Sequence, residues 1–279
     1  MVVLAFGCHG GPSGPLARLD EARTLAASIR VQFNRADDAS NRAVMADTDE
    51  ASISFARDAE TTTKLVERDV NALAPPLQGL GYTKELRSFQ QFQKHFSEYR
   101  KLDREILALA VENTNLKAQA LEFGAARSTA DGFRDSLGSV ASKVPPKDRS
   151  RADELVARAT LAVREIQVLL APHIASRSDA EMSRMEQEMA ALDRAARDAL
   201  NALNDLAPPD VRAQPAPPLF TLDKFKDITA QIVKLSRRNT NVRSFDLALR
   251  SKPPLATACD DDLRALQEAL AQEGSKATR

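Results

Sequence analysis

The chain has 279 residues, enough for a substantial core, and balances 39 Lys plus Arg against 39 Asp plus Glu, so it lacks the basic field that gathers nucleic acid. Ala, Leu, Arg, Asp and Glu dominate, charged residues make up 28%, Trp is missing and Tyr occurs twice, a mixture that favours long amphipathic helices over sheet. No apolar run reaches the roughly 20 residues that cross a bilayer, and two cysteines are too few for a disulfide framework or a zinc site.

Residues 1–14 read as a flexible N-terminal segment in which Cys8 follows MVVLAFG and precedes HGGPSG. An apolar run closed by small residues before a Cys resembles the end of a bacterial lipoprotein signal, truncated by a start codon placed too late. That resemblance implies lipidation at Cys8, a periplasmic or membrane-anchored lipoprotein, and no other link to a membrane. Ala5 and Phe6 depart from the signal, and the alternative is a frayed terminus of a cytoplasmic protein.

Helix 1 is expected from Pro15 to Leu73, with Leu19, Ile29 and Phe33 inward, a weakened polar stretch over Asn34–Thr48, and Val66, Val70 and Leu73 resuming the stripe. Pro75 and Pro76 should end it. Helix 2 runs from Thr83 to about Val140, and Pro145 and Pro146 form the next corner. Helix 3 meets Pro172, a kink, and restarts at Ser178, which with Glu181 has capping-box spacing. A methionine stripe, Met182, Met185 and Met189, reads as core. Pro208 to Pro218 holds five of the 14 prolines and forms a stiff crossover. Helix 4 begins near Leu222, is interrupted at Pro253 and Pro254, and resumes through Cys259, a small buried hydrophobe.

One stretch occurs twice. Ile106–Leu121, ILALAVENTNLKAQAL, and Ile232–Leu247, IVKLSRRNTNVRSFDL, share I-x-x-L-x-x-x-N-T-N at an offset of 126 positions. The fold class is therefore all-α, a long antiparallel up-down-up-down four-helix bundle built from a duplicated helical hairpin, hairpin one spanning 15–142 and hairpin two 147–275. Each helix would be roughly 85 Å long. Helices 2 and 4 would run parallel, related by a twofold axis along the bundle, with Asn113 and Asn239 at one height across the core. Such a pair either specifies register, as an inward Asn does in a coiled coil, or opens a polar ligand pocket flanked by Asn115, Lys117, Asn241 and Arg243. Lys117 and Arg243 are either solvated cations or attract a carboxylate. If the pair serves register alone, Asn113→Leu with Asn239→Leu should raise stability.

Leu235 to Ser244 (LSRRNTNVRS), followed by Thr257-Ala-Cys259 and Leu263-Arg-Ala-Leu266, with the similar copy at Tyr99 to Leu121, resembles the four-helix-bundle ligand-binding domain of methyl-accepting chemotaxis receptors in a stand-alone form. The resemblance implies an extracytoplasmic sensing bundle that forms a homodimer and passes its signal through a membrane partner. It carries no residue-level ligand motif. Enzymatic chemistry finds no support: none of His9, His95 and His173 has a Glu three residues before it, as a di-iron bundle needs. No nucleophile–base constellation or Gly-rich phosphate loop is present. No metal site or cofactor is expected, and Asp260-Asp-Asp262 on a helix points three ways. The expectation is a non-enzymatic sensor-like bundle that binds a small ligand or a partner protein, the alternative a structural scaffold acting through protein contacts.

Overall fold

The computed structural model describes residues 14–212 and 217–277, and these form an all-α structure with no strand among them. Cys8 lies outside the described residues, as do residues 213–216 of the crossover. No described helix is long and apolar enough to cross a membrane.

The expected helix 1 is two helices, α1 (Pro15–Met45) and α2 (Asp49–Leu80). Ala46 and Thr48 are extended, the Thr48 hydroxyl accepts from the Ala51 N–H at 3.2 Å, and Asp49 and Glu50 favour the new N-terminus. Buried Ala36, Ala39 and Ala43 are small enough for α2 to fold back along α1. Hydrogen bonds from Ser28 to Asp69 and from Ser52 to the Ala43 carbonyl mark the antiparallel register. The polar stretch that looked like a loosened core is thus the approach to a reversal.

Pro75 and Pro76 lie inside α2 and do not end it. Each removes a donor to the carbonyl four residues back; the residues that bear those carbonyls, Asn71 and Ala72, are exposed. The helix ends instead at Gly81, whose φ of 70° is the left-handed cap. Next come α3 (Thr83–Glu112), α4 (Thr114–Leu121), a π-helical turn (Glu122–Ala126) and α5 (Arg127–Ala141). After the corner at Pro145, α6 (Arg149–Ala175) carries Pro172 without breaking there. The predicted restart is present: the Ser178 hydroxyl caps α7 (Asp179–Leu206) by accepting from the Glu181 N–H at 3.2 Å. The short α8 (Pro209–Arg212), then α9 (Pro217–Arg238), α10 (Thr240–Asp246), a second π turn (Leu247–Ser251) and α11 (Lys252–Ala277) complete the chain. Pro253 and Pro254 open α11 rather than interrupting it, and the carbonyl-bearing residues four back, Leu249 and Arg250, are again exposed.

The chain divides into two compact units that do not coincide with the copies 15–142 and 147–275. Unit 1 joins residues up to Val111 to those from Arg243 onward, so α1, α2 and α3 gather with α11. Its core is built on Phe33, edge-on to Phe92, Phe96 and Tyr99, with Leu73, Leu263 and Leu266. Cys259 is buried there, and desolvation pushes its thiol up to about 12, an inert hydrophobe as expected. Unit 2 is the continuous stretch Glu112–Val242, and its core includes Phe133, Leu137, Ile166, Leu170, Met189, Leu203, Phe225 and Ile232.

Buried positions in the two copies correspond at two offsets. Thr48 and Ser178, the caps of α2 and α7, are 130 positions apart, and the buried residues of α1 and α2 recur in α6 and α7 at that spacing. From α3 and α9 onward the spacing is 126. Each copy therefore holds two short helices and one long broken one, not a two-helix hairpin.

Candidate functional site

The repeated Asn-Thr-Asn segments meet within unit 2. Asn113 and Asn239 both adopt the left-handed conformation, with φ of 50° and 53°. Asn tolerates that region better than other side chains with a Cβ, so each breaks its helix; Asn113 also starts α4, its carbonyl accepting from the Lys117 N–H at 3.0 Å. Thr114 and Thr240 then face one another: each backbone N–H donates to the other's hydroxyl, at 3.2 and 3.1 Å. The Asn115 N–H donates to Asn241 Oδ1 at 3.1 Å and the Asn241 N–H to Asn115 Oδ1 at 3.2 Å. Asn115 Nδ2 donates to Asn239 Oδ1 at 2.8 Å, and Asn241 Nδ2 to Asn113 Oδ1 at 2.9 Å.

This arrangement corrects the expected symmetry. The segments run antiparallel, and their twofold axis passes across the helices between Thr114 and Thr240. The cause is parity: the reversal at residues 176–178, added to the corners at Pro145 and after Leu206, gives three changes of direction between them. Asn113 is buried and Asn239 half-buried, but they bond to Asn241 and Asn115, not to each other. Asn115 Nδ2 also reaches the Ile174 carbonyl at 2.7 Å, and Asn239 Nδ2 the Ser176 carbonyl at 2.8 Å. The amide groups serve the helix ends, apart from Asn113 Nδ2, which is buried without a partner. Lys117 is exposed and donates to the Glu112 carbonyl at 2.8 Å. Arg243, its counterpart, is exposed in unit 1.

Two clusters went unread in the sequence. In unit 1, Lys252 is 2% exposed; its Nζ lies 3.1 Å from Asp37 Oδ1, 3.1 Å from Ser40 Oγ and 3.7 Å from Asp103 Oδ1. Tyr99 donates to Asp37 at 2.9 Å, and Ser40 to Asp103. Burial raises the Asp103 carboxyl above its ordinary range, against the Ser40 hydrogen bond and Lys252, and burial with the two carboxylates holds the Tyr99 phenol well above its own. The signal was available: Lys252 stands seven positions before Cys259 and Asp103 four after Tyr99, both on inward stripes. In unit 2, buried His173 joins Ser236 through Nδ1 at 2.8 Å and Glu186 through Nε2 at 2.9 Å. Arg237 Nε also donates to Glu186 at 2.7 Å, and it holds that carboxyl below its usual range, with His173 adding to it. The three acids Asp260, Asp261 and Asp262 take separate partners, Arg30, Arg264 and His95.

The two units differ most where corresponding helices face each other. Between α2 and α3 of unit 1, buried Arg100 donates to both Glu60 oxygens at 2.9 and 2.7 Å and to Glu67 at 3.0 Å. This bridge separates two depressions, one edged by Glu67, Gln93 and Arg104, the other by Ile53, Glu60 and Leu107. In unit 2 the counterparts of Arg100 and Glu60 are Lys226 and Ala190, so that bridge is missing, although Arg237 with Glu186 at 2.7 Å, Arg197 with Asp223 at 2.7 Å and Lys226 with Asp193 at 3.8 Å join α7 and α9 on either side. A groove of about 400 Å³ opens instead between α7 and α9, floored by Ile166, Met189, Phe225 and Val233. The polar core residues change with it: Lys252, Asp103, Tyr99, Asp37 and Ser40 correspond to Ala126, Thr229, Phe225, Gln167 and Leu170.

Comparison with known proteins assigns no family. No family model matches the chain, and no curated protein matches it.

Proposed function

We propose that this chain is a non-enzymatic, chemoreceptor-sensor-like binding module, each unit an antiparallel four-helix bundle, which takes a small ligand in the α7–α9 groove of unit 2. The observation that carries the reading is the groove itself: where unit 1 has the buried Arg100–Glu60 bridge, unit 2 has Lys226 and Ala190 beside a recess floored by Ile166, Met189, Phe225 and Val233, of a size suited to small molecules. The site so proposed differs from the Asn113–Asn239 region, where the amides are used in holding helix ends together. Extracytoplasmic placement, an anchor at Cys8, a homodimer and a membrane signalling partner belong to the same proposal and follow from the resemblance to chemotaxis sensor domains.

A thermal-shift screen of the full chain against amino acids, organic acids and small aromatic compounds tests it. A ligand at a hundred times its dissociation constant stabilises by about 2.7 kcal/mol, an upward shift of roughly 5–10 °C for a chain of this size. Ala190→Leu with Ala230→Leu, two exposed positions lining the groove, should fill it and remove the shift. A broad panel without any shift, or a shift untouched by the filled variant, would reject the groove. The scaffold reading draws on a different observation: Phe123 and Leu249, equivalent in the two copies, are 66% and 59% exposed, apolar groups available to a protein partner.

A further inference from the structure

The charges around the groove identify what kind of molecule it is built for, an inference that rests on the reading of the groove as a ligand site. Four ionisable side chains line it: Glu186, Asp193, Arg194 and Lys226. The two carboxylates are held from outside the groove by cations that each carry a second acid, Arg237 with Asp179 at 3.3 Å and Arg197 with Asp223 at 2.7 Å. Glu186 is held by Arg237 at 2.7 Å and by His173 at 2.9 Å, and Asp193 by Arg197 at 3.0 Å. The two cations are not so held. Arg194 is exposed and has no hydrogen bond or ion pair among the described residues, and Lys226 lies 3.8 Å from Asp193, which Arg197 approaches more closely. The groove therefore presents at its mouth one cation without an acid partner among the described residues, Arg194, and one loosely held, Lys226, above a floor of Ile166, Met189, Phe225 and Val233.

Thr229 adds a second polar feature. Thr63, Thr129 and Thr221 each donate to the carbonyl four residues earlier, at 2.8, 2.7 and 2.8 Å. Thr229, equally helical, makes no such bond; its buried hydroxyl has no partner, and the residue lines the groove. An unmade hydrogen bond of this kind is a cost that a polar atom reaching the hydroxyl would remove.

We propose that the groove binds a small monocarboxylate with an apolar body, its carboxylate between Arg194 and Lys226 and its body against Met189, Phe225 and Val233. The thioether of Met189 adapts to aromatic and branched aliphatic bodies alike. Isothermal titration of the full chain with 3-phenylpropionate, acetate and the neutral analogue 3-phenylpropan-1-ol tests this. The acid should bind at least about tenfold more tightly than the alcohol, the usual margin of a charge-assisted hydrogen bond, and acetate should bind more weakly than either. Arg194→Gln and Lys226→Gln, both at exposed positions, should each lower the affinity for the acid and leave that for the alcohol unchanged, with unfolding curves like the parent's. Equal affinity for acid and alcohol, or an acid preference that survives both substitutions, would overturn the assignment of ligand class while leaving the groove as a site. Binding by none of the three compounds would overturn both readings.

Discussion

The α2–α3 seam of unit 1 and the α7–α9 seam of unit 2 are copies of one sequence pattern and both are laced by ion pairs, yet unit 1 sets the buried Arg100 bridge over a charged core where unit 2 sets a groove over an apolar one. A handful of positions makes the difference. Where Arg100 meets Glu60, unit 2 has Lys226 and Ala190; where Lys252 lies between Asp37 and Asp103, unit 2 has Ala126 with Gln167 and Thr229. A duplicated fold can thus hold its helices in corresponding places with either kind of interior, and the copy without the buried Arg100 bridge has an apolar-floored groove at that place.

The most severe way to break this comparison is Lys252→Ala, which copies unit 2's residue at one position only. Two carboxylates would stay in the core without their cation, at a cost of about 3–5 kcal/mol, read by urea denaturation. Adding Asp37→Gln and Asp103→Thr copies the two acid positions as well and should recover most of the loss; a triple variant no better than the single one would show that the charged groups of the two interiors are not interchangeable. Next in size is the joint that the two copies share. Asn113→Ala and Asn239→Ala each replace a residue that tolerates the left-handed region with one that does not, costing about 1–2 kcal/mol, whereas the Gly variants avoid that strain. The left-handed backbone reverses the earlier expectation for the double Leu variant, which should now lose stability.

A smaller effect sharpens the comparison of the seams. Lys226→Arg with Ala190→Glu installs the unit 1 bridge, and at a partly exposed site it should add no more than about 1 kcal/mol while removing ligand binding. Smallest is a dependence on pH. Asp103 titrates above its unfolded value, so its contribution to stability is present at acid pH and is lost as pH rises through the ordinary carboxylate range and beyond. Glu60, Glu186 and Asp260 titrate below theirs, so their contributions are present above that range and lost as pH falls through it. The stability of Asp103→Asn relative to the parent should therefore improve as pH rises, measured by denaturation at a series of pH values.

The all-helical class, the duplication, the cap at Ser178 and the burial of Cys259 were legible because each rests on local pattern: periodicity, a repeated motif, capping spacing. The reversal at Ala46–Thr48 was visible only as missing large apolar residues, which describes a turn's approach as well as a weak core. Asn113 and Asn239 were singled out for the right residue type and given the wrong backbone, since a stripe drawn through a continuous helix places an Asn inward and says nothing of a left-handed φ. Pro75, Pro76, Pro253 and Pro254 look like stops because a lost donor is costly, but the residues whose carbonyls they orphan, Asn71, Ala72, Leu249 and Arg250, are exposed, which sequence does not show. The groove was beyond reach: it lies where Lys226 and Ala190 replace Arg100 and Glu60, a difference that becomes informative only once the two seams are aligned.

Unit 2 is one uninterrupted stretch, whereas unit 1 is completed by residues that follow it. On the ribosome this imposes an order. Residues 112–242 can fold as soon as they emerge, because domains form as units during synthesis. The first three helices must wait through that whole interval for Leu263, Leu266 and Leu270, with Ile29, Phe33 and Phe92 short of the partners that bury them. The nascent chain thus carries an unfinished apolar surface for more than a hundred residues of translation, about 5–20 s or longer at ordinary elongation rates. Chaperone dependence in the cell should accordingly track this stretch of the chain, and a circular permutant beginning at residue 243 would shorten the exposure.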